Sequence, residues 1–170
     1  GLESEHTACV TRRVTPIALD TDKNGQVETI FGEFDFDMDG DGIKETLAEW
    51  FSATDAILIY RDYGDAITGA HLFGDTGGKY ADGFAKLATQ DMNGDGQLNN
   101  AELNKLALWT DRNSNQMVDE GEISSLDSHS IVSLSVDHYK YTARAELDNG
   151  RTILMRDLWL SVLPMQQASK

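Results

Sequence analysis

Four stretches of this chain set oxygen-bearing side chains at alternate positions around a sharp turn. From Asp91 to Glu102, oxygens stand at positions one, three, five, nine and twelve, as Asp91, Asn93, Asp95, Asn99 and Glu102, with Gly96 at position six. This is the spacing of an EF-hand calcium loop. A hard divalent cation takes six to eight oxygens at about 2.3–2.6 Å, and alternate residues turn theirs inward around it. Glycine at position six permits the turn, and the Gln97 carbonyl supplies the seventh-position ligand. Asn99 and Glu102 also have the spacing of an N-cap and its N3 partner, so a helix start and the closing carboxylate coincide.

A second complete loop follows. Asp111, Asn113, Asn115, Asp119 and Glu122 fill the same positions, with the Met117 carbonyl at seven. Gln116 replaces the glycine, which implies strain, because a non-glycine residue rarely adopts positive φ. Its two asparagines lower the charge and predict weaker binding. Leu98 and Val118, each just before a ninth ligand, are expected to anchor their loops to the core.

Two earlier loops have a shorter form. One uses Asp20, Asp22, Asn24, the Gln26 carbonyl and Glu28, turning at Gly25. The other uses Asp37, Asp39, Asp41, the Ile43 carbonyl and Glu45, turning at Gly42. Position twelve is Phe31 in one and Ala48 in the other, so Glu28 and Glu45 must close the loops, or a carboxylate must come from elsewhere. A register starting at Asp35 with Gly40 at position six is also open. The bland alternative for both is an Asp/Gly-rich turn without an ion. Calcium is thus the expected cofactor, in two complete loops and up to four.

The balance of the chain agrees. Its 170 residues carry 14 Lys+Arg against 29 Asp+Glu, a formal charge of −15, with 40% hydrophobic residues. That length suits one domain with a core. The acidity excludes ordinary nucleic-acid binding, which needs basic surfaces, and argues against anionic membranes. No apolar run approaches the roughly 20 residues that span a bilayer, so no membrane insertion is expected. The first 13 residues lack the apolar core of a signal peptide. Cys9 is the only cysteine, which removes intrachain disulfides and cysteine-based zinc sites.

The elements that must hold these loops read as α+β, with short strands and short helices around EF-hand-like calcium loops and a C-terminal antiparallel hairpin. Residues 1–14 read as an arm or linker, 15–165 as one module and 166–170 as a tail. Strands are predicted at 17–19, 31–36, 56–60 and 131–136, and helices at 80–90 and 102–109. Only 20 residues separate Asp91 from Asp111, so the exit helix of one loop is expected to be the entry helix of the next. Residues 139–147 and 151–156 flank Asp148-Asn149-Gly150, a strong hairpin signal. Leu158, Trp159 and Val162 form a closing apolar segment.

These motifs, in order, resemble a known family. Pro16-Ile17-Ala18-Leu19-Asp20-x-Asp22 looks like the opening of the calcium-binding module of bacterial RTX-type secreted proteins, above all the self-processing module of neisserial iron-regulated RTX proteins. The likeness continues through Phe36-Asp37-x-Asp39-Gly40-Asp41-Gly42, Trp50-x-Ser52, Leu72-Phe73-Gly74-Asp75, Gly83-Phe84, the loop at Asp91, Leu108-Trp109-x-Asp111 and the Asn-Gly hairpin. It spans about 150 residues. It implies a secreted or cell-surface protein whose folding is coupled to calcium. In self-processing relatives calcium triggers cleavage of an Asp-Pro bond before the module, leaving an activated aspartyl end that can join to a lysine. Here Thr15 precedes Pro16, and threonine has no carboxylate to attack its own carbonyl, so the chain is expected not to be an enzyme. Relatives also carry a further loop where residues 62–67 lack the ligand alternation and His71 replaces a Glu, a site read as lost.

Rival readings are weaker. His6, His71, His129 and His138 are scattered, with no Ser or Cys arrangement around them, so no catalytic residue is assigned. A pair of carboxylates for glycoside hydrolysis is conceivable, but loop spacing explains the acids better. Trp50, Trp109 and Trp159 read as core anchors, and Cys9 as a poor lipid-attachment site. The alternatives to a calcium-binding module are a calcium-triggered self-processing protease and a calcium-stiffened adhesion or partner-binding domain.

Overall fold

The computed structural model describes residues 12–164; His6 and Cys9 lie outside them. Two antiparallel sheets carry the fold. In chain order the strands are β1 (Arg12–Val14), β2 (Ile17–Leu19), β3 (Thr29–Phe36), β4 (Glu45–Phe51), β5 (Ala56–Tyr60), β6 (Gln97–Asn99), β7 (Leu106–Trp109), β8 (Ile123–Ser124), β9 (Ile131–Ser135), β10 (Thr142–Leu147), β11 (Thr152–Asp157) and β12 (Leu160–Val162). The smaller sheet runs β1-β12-β4-β3 and the larger β6-β9-β10-β11-β2-β5-β7-β8. Arg12–Val14, within the stretch expected to be an arm, pair with β12.

The central strands of the large sheet are buried on both faces, and their alternation sorts side chains into two cores. Ile17, Leu19, Leu58, Leu106 and Leu108 join Phe73, Phe84, Leu87, Leu98, Leu134, Ala145 and Met155 in one. Ala18, Ile57, Ile59, Ala107 and Trp109 face Phe36, Leu47, Trp50 and Phe51 of the small sheet in the other. Such two-sided burial explains why these strands are continuous apolar runs. Three close-packed rings fix the second core, with Trp50 centroids 5.3 Å from Phe36 and 5.8 Å from Trp109.

The α+β expectation is overturned: the described chain is mostly β. Its single α-helix, α1 (Gly83–Leu87), is one turn continued by a 3-10 turn, Ala88–Gln90. Asp82 caps it, its Oδ1 accepting from the Ala85 amide at 2.8 Å, so the predicted 80–90 helix starts late. The predicted 102–109 helix is absent. A 3-10 stretch, Asn100–Lys105, gives way to β7. Leu106-Ala107-Leu108-Trp109 sends alternate side chains into opposite cores, which period two achieves and a helix does not. The two complete loops therefore share no helix and are not EF-hands in architecture. β4 had no sequence signal of its own, because its start doubles as the end of a loop. At the hairpin, β10 pairs with β11 around Gly150, whose φ is +85°.

One close backbone approach lies beside β2. Gly74 lies against the backbone of residue 15, where an added Cβ would sit 1.5 Å from the Thr15 carbonyl oxygen. Only glycine fits at that position.

Candidate metal loops

All four loops fold by one scheme. The first aspartate accepts from the sixth amide in each: Asp20 from Gly25 at 2.7 Å, Asp37 from Gly42 at 2.8 Å, Asp91 from Gly96 at 2.8 Å and Asp111 from Gln116 at 2.9 Å. The fifth side chain accepts from the seventh amide, in the pairs Asn24–Gln26, Asp41–Ile43, Asp95–Gln97 and Asn115–Met117, at 2.9–3.0 Å. Position six is left-handed throughout, with φ of +89° at Gly25, +90° at Gly42, +86° at Gly96 and +59° at Gln116. Gln116 thus adopts the strained conformation its position demands. Its Nε2 donates back to the Ser114 carbonyl at 2.7 Å. Ile43 and Met117 carry no side-chain oxygen, so at position seven of these two loops the backbone carbonyl is the available one.

The closing carboxylate differs from loop to loop. Glu102 accepts from the Asn99 amide at 3.2 Å and the Met92 amide at 2.6 Å. Glu122 does the same for Asp119 at 3.0 Å and Arg112 at 3.1 Å. Glu45, three positions early, takes the second-position amide of Met38 at 2.8 Å. In the first loop the ninth-position amide of Glu28 donates instead to Asp55, at 2.9 Å. Glu28 itself accepts from Asn24 Nδ2 at 3.1 Å. Asp55, from the turn between β4 and β5, carried no motif and was not singled out from the sequence.

Carboxylates converge in three of the loops. Ligand oxygens lie within 4.8 Å of one another in the sets Asp20, Asp22 and Asp55; Asp37, Asp41 and Glu45; and Asp91, Asp95 and Glu102. In the fourth loop Asn113 and Asn115 replace acids, and both donate to Asp119, at 3.0 and 2.7 Å. Asp39 stands apart from its set, paired at 3.2 Å with Arg12 of β1. Asp35 lies in β3 and accepts from Thr46 Oγ1 at 2.7 Å, so the turn belongs to the register starting at Asp37.

Burial sets the electrostatics. It is the largest cause raising the acids at Asp20, Glu45 and Asp111 above their ordinary range. Asp55, fully buried, is raised to about 7, with Asp22, Asp20 and Glu28 adding repulsion. Acids held this way favour a proton or a cation over bare ionisation. Asp55 Oδ1 is buried with no hydrogen-bond partner. An orphaned buried oxygen beside two more carboxylates fits a hard cation, which takes oxygens only.

The fourth loop is wired to the second core. Trp50 Nε1 donates to Asp111 at 2.8 Å, and Trp109 Nε1 to Glu122 at 3.3 Å. Both acids are buried. The anchors Leu98 and Val118 pack on the first and second cores.

Residues 17–160 match the family described as the SPM domain. The chain belongs to the SPM domain family. It is also similar to the iron-regulated protein FrpA of Neisseria meningitidis serogroup C, with 36% identity over 152 residues, 81% of this chain and 13% of that relative. The chain thus spans about an eighth of that protein's length. Among the described residues no helix is long and apolar enough to cross a membrane.

The family match begins one residue after Pro16, and the structure wraps that junction in acids. The Thr15 hydroxyl donates to Asp157, whose other oxygen accepts from the Gly83 amide at 2.7 Å. The Asp75 amide donates to the Thr15 carbonyl at 3.2 Å. Burial raises Asp157 to about 7 and also raises Asp75. Lys86, likewise buried, donates to the Ala70 carbonyl and Thr76 Oγ1, each at 2.8 Å; burial lowers it to about 8.

The described histidines serve the scaffold. His71 Nδ1 accepts from the Thr68 amide at 3.0 Å, in a capping box. His138 stacks on Phe84 at 4.6 Å. His129 Nε2 meets Ser124 Oγ at 2.8 Å, a pair the sequence reading did not anticipate, and it ties β8 to the next turn.

Proposed function

We propose that this chain is a calcium-binding module whose fold is completed by the ion, in a protein that works outside the cell. The observation that carries the reading is the hydrogen-bonding scheme the four loops share, together with the three sets of carboxylate oxygens that lie within 4.8 Å of one another. The ligand sets are the calls from spacing, namely Asp91, Asn93, Asp95, Gln97, Asn99 and Glu102, and the three equivalent sets at 111–122, 20–28 and 37–45.

Without an ion, carboxylates about 4 Å apart repel by roughly 4 kcal/mol at an effective dielectric near 20. A cation reverses that sign. Loops of this kind in extracellular modules bind calcium at about 10⁻⁴–10⁻³ M, so they fill outside the cell and stay empty where calcium is scarce. Ligand at 100 times its dissociation constant stabilises by about 2.7 kcal/mol per site, and several such sites decide whether a domain with ordinary stability folds.

Thermal unfolding of chelated protein, titrated with calcium or with magnesium, tests this. A large rise in Tm with calcium and a small one with magnesium is expected, since magnesium demands tight octahedral geometry and sheds water reluctantly. Equal or absent shifts overturn the reading.

Self-processing is not proposed for this chain, although the resemblance suggests it. The residue before Pro16 offers a hydroxyl, and that hydroxyl is engaged with Asp157. A gel after calcium addition is expected to show intact chain; two clean fragments would contradict this.

A further inference from the structure

We propose that Asp55 is the closing ligand of the first loop, so that one cation bound there staples two separate crossings between the sheets. The proposal rests on the calcium reading of the loops and adds a ligand from outside the loop.

Three observations carry it. First, Asp55 occupies the hydrogen-bonding place of a twelfth-position acid. In the third loop the ninth amide, of Asn99, donates to Glu102; in the fourth the ninth amide, of Asp119, donates to Glu122. In the first loop the ninth amide, of Glu28, donates to Asp55 Oδ2. Second, the remaining oxygen, Asp55 Oδ1, is fully buried and has no hydrogen-bond partner. A buried carboxylate oxygen left unpaired is costly, and native structures seldom keep one without a ligand or another reason. Third, a ligand oxygen of Asp55 lies within 4.8 Å of those of Asp20 and Asp22, so the group reaches the first and third positions of the loop.

Chain topology gives the ligand its consequence. The loop at 20–28 leads from β2 in the large sheet to β3 in the small one, and the turn holding Asp55 leads from β4 in the small sheet back to β5 in the large one. The Ser52 amide already donates to the Glu28 carbonyl at 3.0 Å, and Thr21 Oγ1 to the Thr54 carbonyl at 3.1 Å. A cation shared by Asp20, Asp22 and Asp55 ties these crossings with charge where the protein alone has two neutral hydrogen bonds and one to the carboxylate.

Calcium titration calorimetry of wild type, Asp55→Asn and Glu28→Gln tests it. Asparagine keeps the acceptor for the Glu28 amide and removes the charge. Asp55→Asn is expected to weaken one calcium site by on the order of ten- to a hundred-fold, the cost of losing a ligand or its partner, while the remaining sites keep their affinity. Glu28→Gln is expected to weaken the same site less. Melting separates ligation from a structural role. Asp55→Asn should leave the chelated Tm unchanged or higher, because a buried charge is gone, and shrink the gain on adding calcium. A purely structural Asp55 would lower both Tm values alike. Amide exchange on the wild type covers the case in which the variant does not fold. Calcium should then protect residues 52–55 together with 20–28. Unchanged affinity at every site in Asp55→Asn, or protection confined to 20–28, overturns the role of Asp55 while leaving the calcium reading intact. A wild type that takes up no calcium overturns both.

Discussion

Residue-scale chemistry here is dominated by acids in places that do not favour ionisation. Asp157, outside the loops, shows the effect most simply. Burial raises it to about 7 from the ordinary 3.8, against the lowering effect of its bonds from Thr15 and Gly83. The unfolded chain releases this proton near pH 4, whereas the native chain holds it to about pH 7. Stability is therefore full below about pH 4, falls as pH rises through the window between, and levels off above 7. At about 1.4 kcal/mol per unit the shift is worth a few kcal/mol. In saturating calcium we expect a Tm lower by roughly 5–10 °C at pH 8 than at pH 5, and Asp157→Asn should remove most of that slope. A variant with the wild-type slope would place the proton elsewhere. Gly74→Ala probes packing at the same junction. Its Cβ would strike the Thr15 carbonyl oxygen, and neither backbone can yield. A loss of about 3 kcal/mol or more is expected in denaturant unfolding, and a loss under 1 kcal/mol would contradict the contact.

At the scale of elements, three of the loops run from strand to strand, and the loop at 91–102 starts from the 3-10 turn Ala88–Gln90 and passes through β6. Neutralising Asp91 and Glu102 together should remove one site's share of calcium stabilisation, roughly 2–3 kcal/mol at saturation, and leave the rest. An unchanged calcium-dependent Tm in the double variant would show that this loop holds no ion. Trp50→Phe keeps a ring in the core and removes the donor to Asp111. It should cost about 2–4 kcal/mol from the lost charged bond and the smaller ring; a cost near zero would mean that β4 does not support the fourth loop. The loops and the hairpin turn were legible because their chemistry is local: a turn, a left-handed residue and alternate oxygens lie within a dozen positions. The strands of the large sheet were only half legible. Leu106-Ala107-Leu108-Trp109 looks helical beside Leu103, and only two-sided burial, a tertiary fact, makes it a strand. β4 was hidden because Glu45 ends a loop and begins a strand. Asp55 was illegible for the same kind of reason, since its partner amide lies 27 residues earlier and nothing in Thr54-Asp55-Ala56 announces a ligand.

For the whole molecule, the loops sit beside strands of both sheets, and about half of the 29 acids behind the −15 charge lie in them. Net repulsion of that size opposes compaction, and in the proposed reading calcium is the counterion that offsets it. The fold is thus a β scaffold rather than the helical module its loop motifs suggest, and in the proposed reading the ions complete it. The central claim is that these loops hold calcium in the folded protein. Native mass spectrometry of the protein, equilibrated with calcium at about 1 mM, the order of extracellular-module affinities, and freed of loose ions, counts them. The account predicts a folded chain carrying up to four calcium ions, falling by one in the Asp91→Asn, Glu102→Gln double variant. A folded chain carrying none would contradict it.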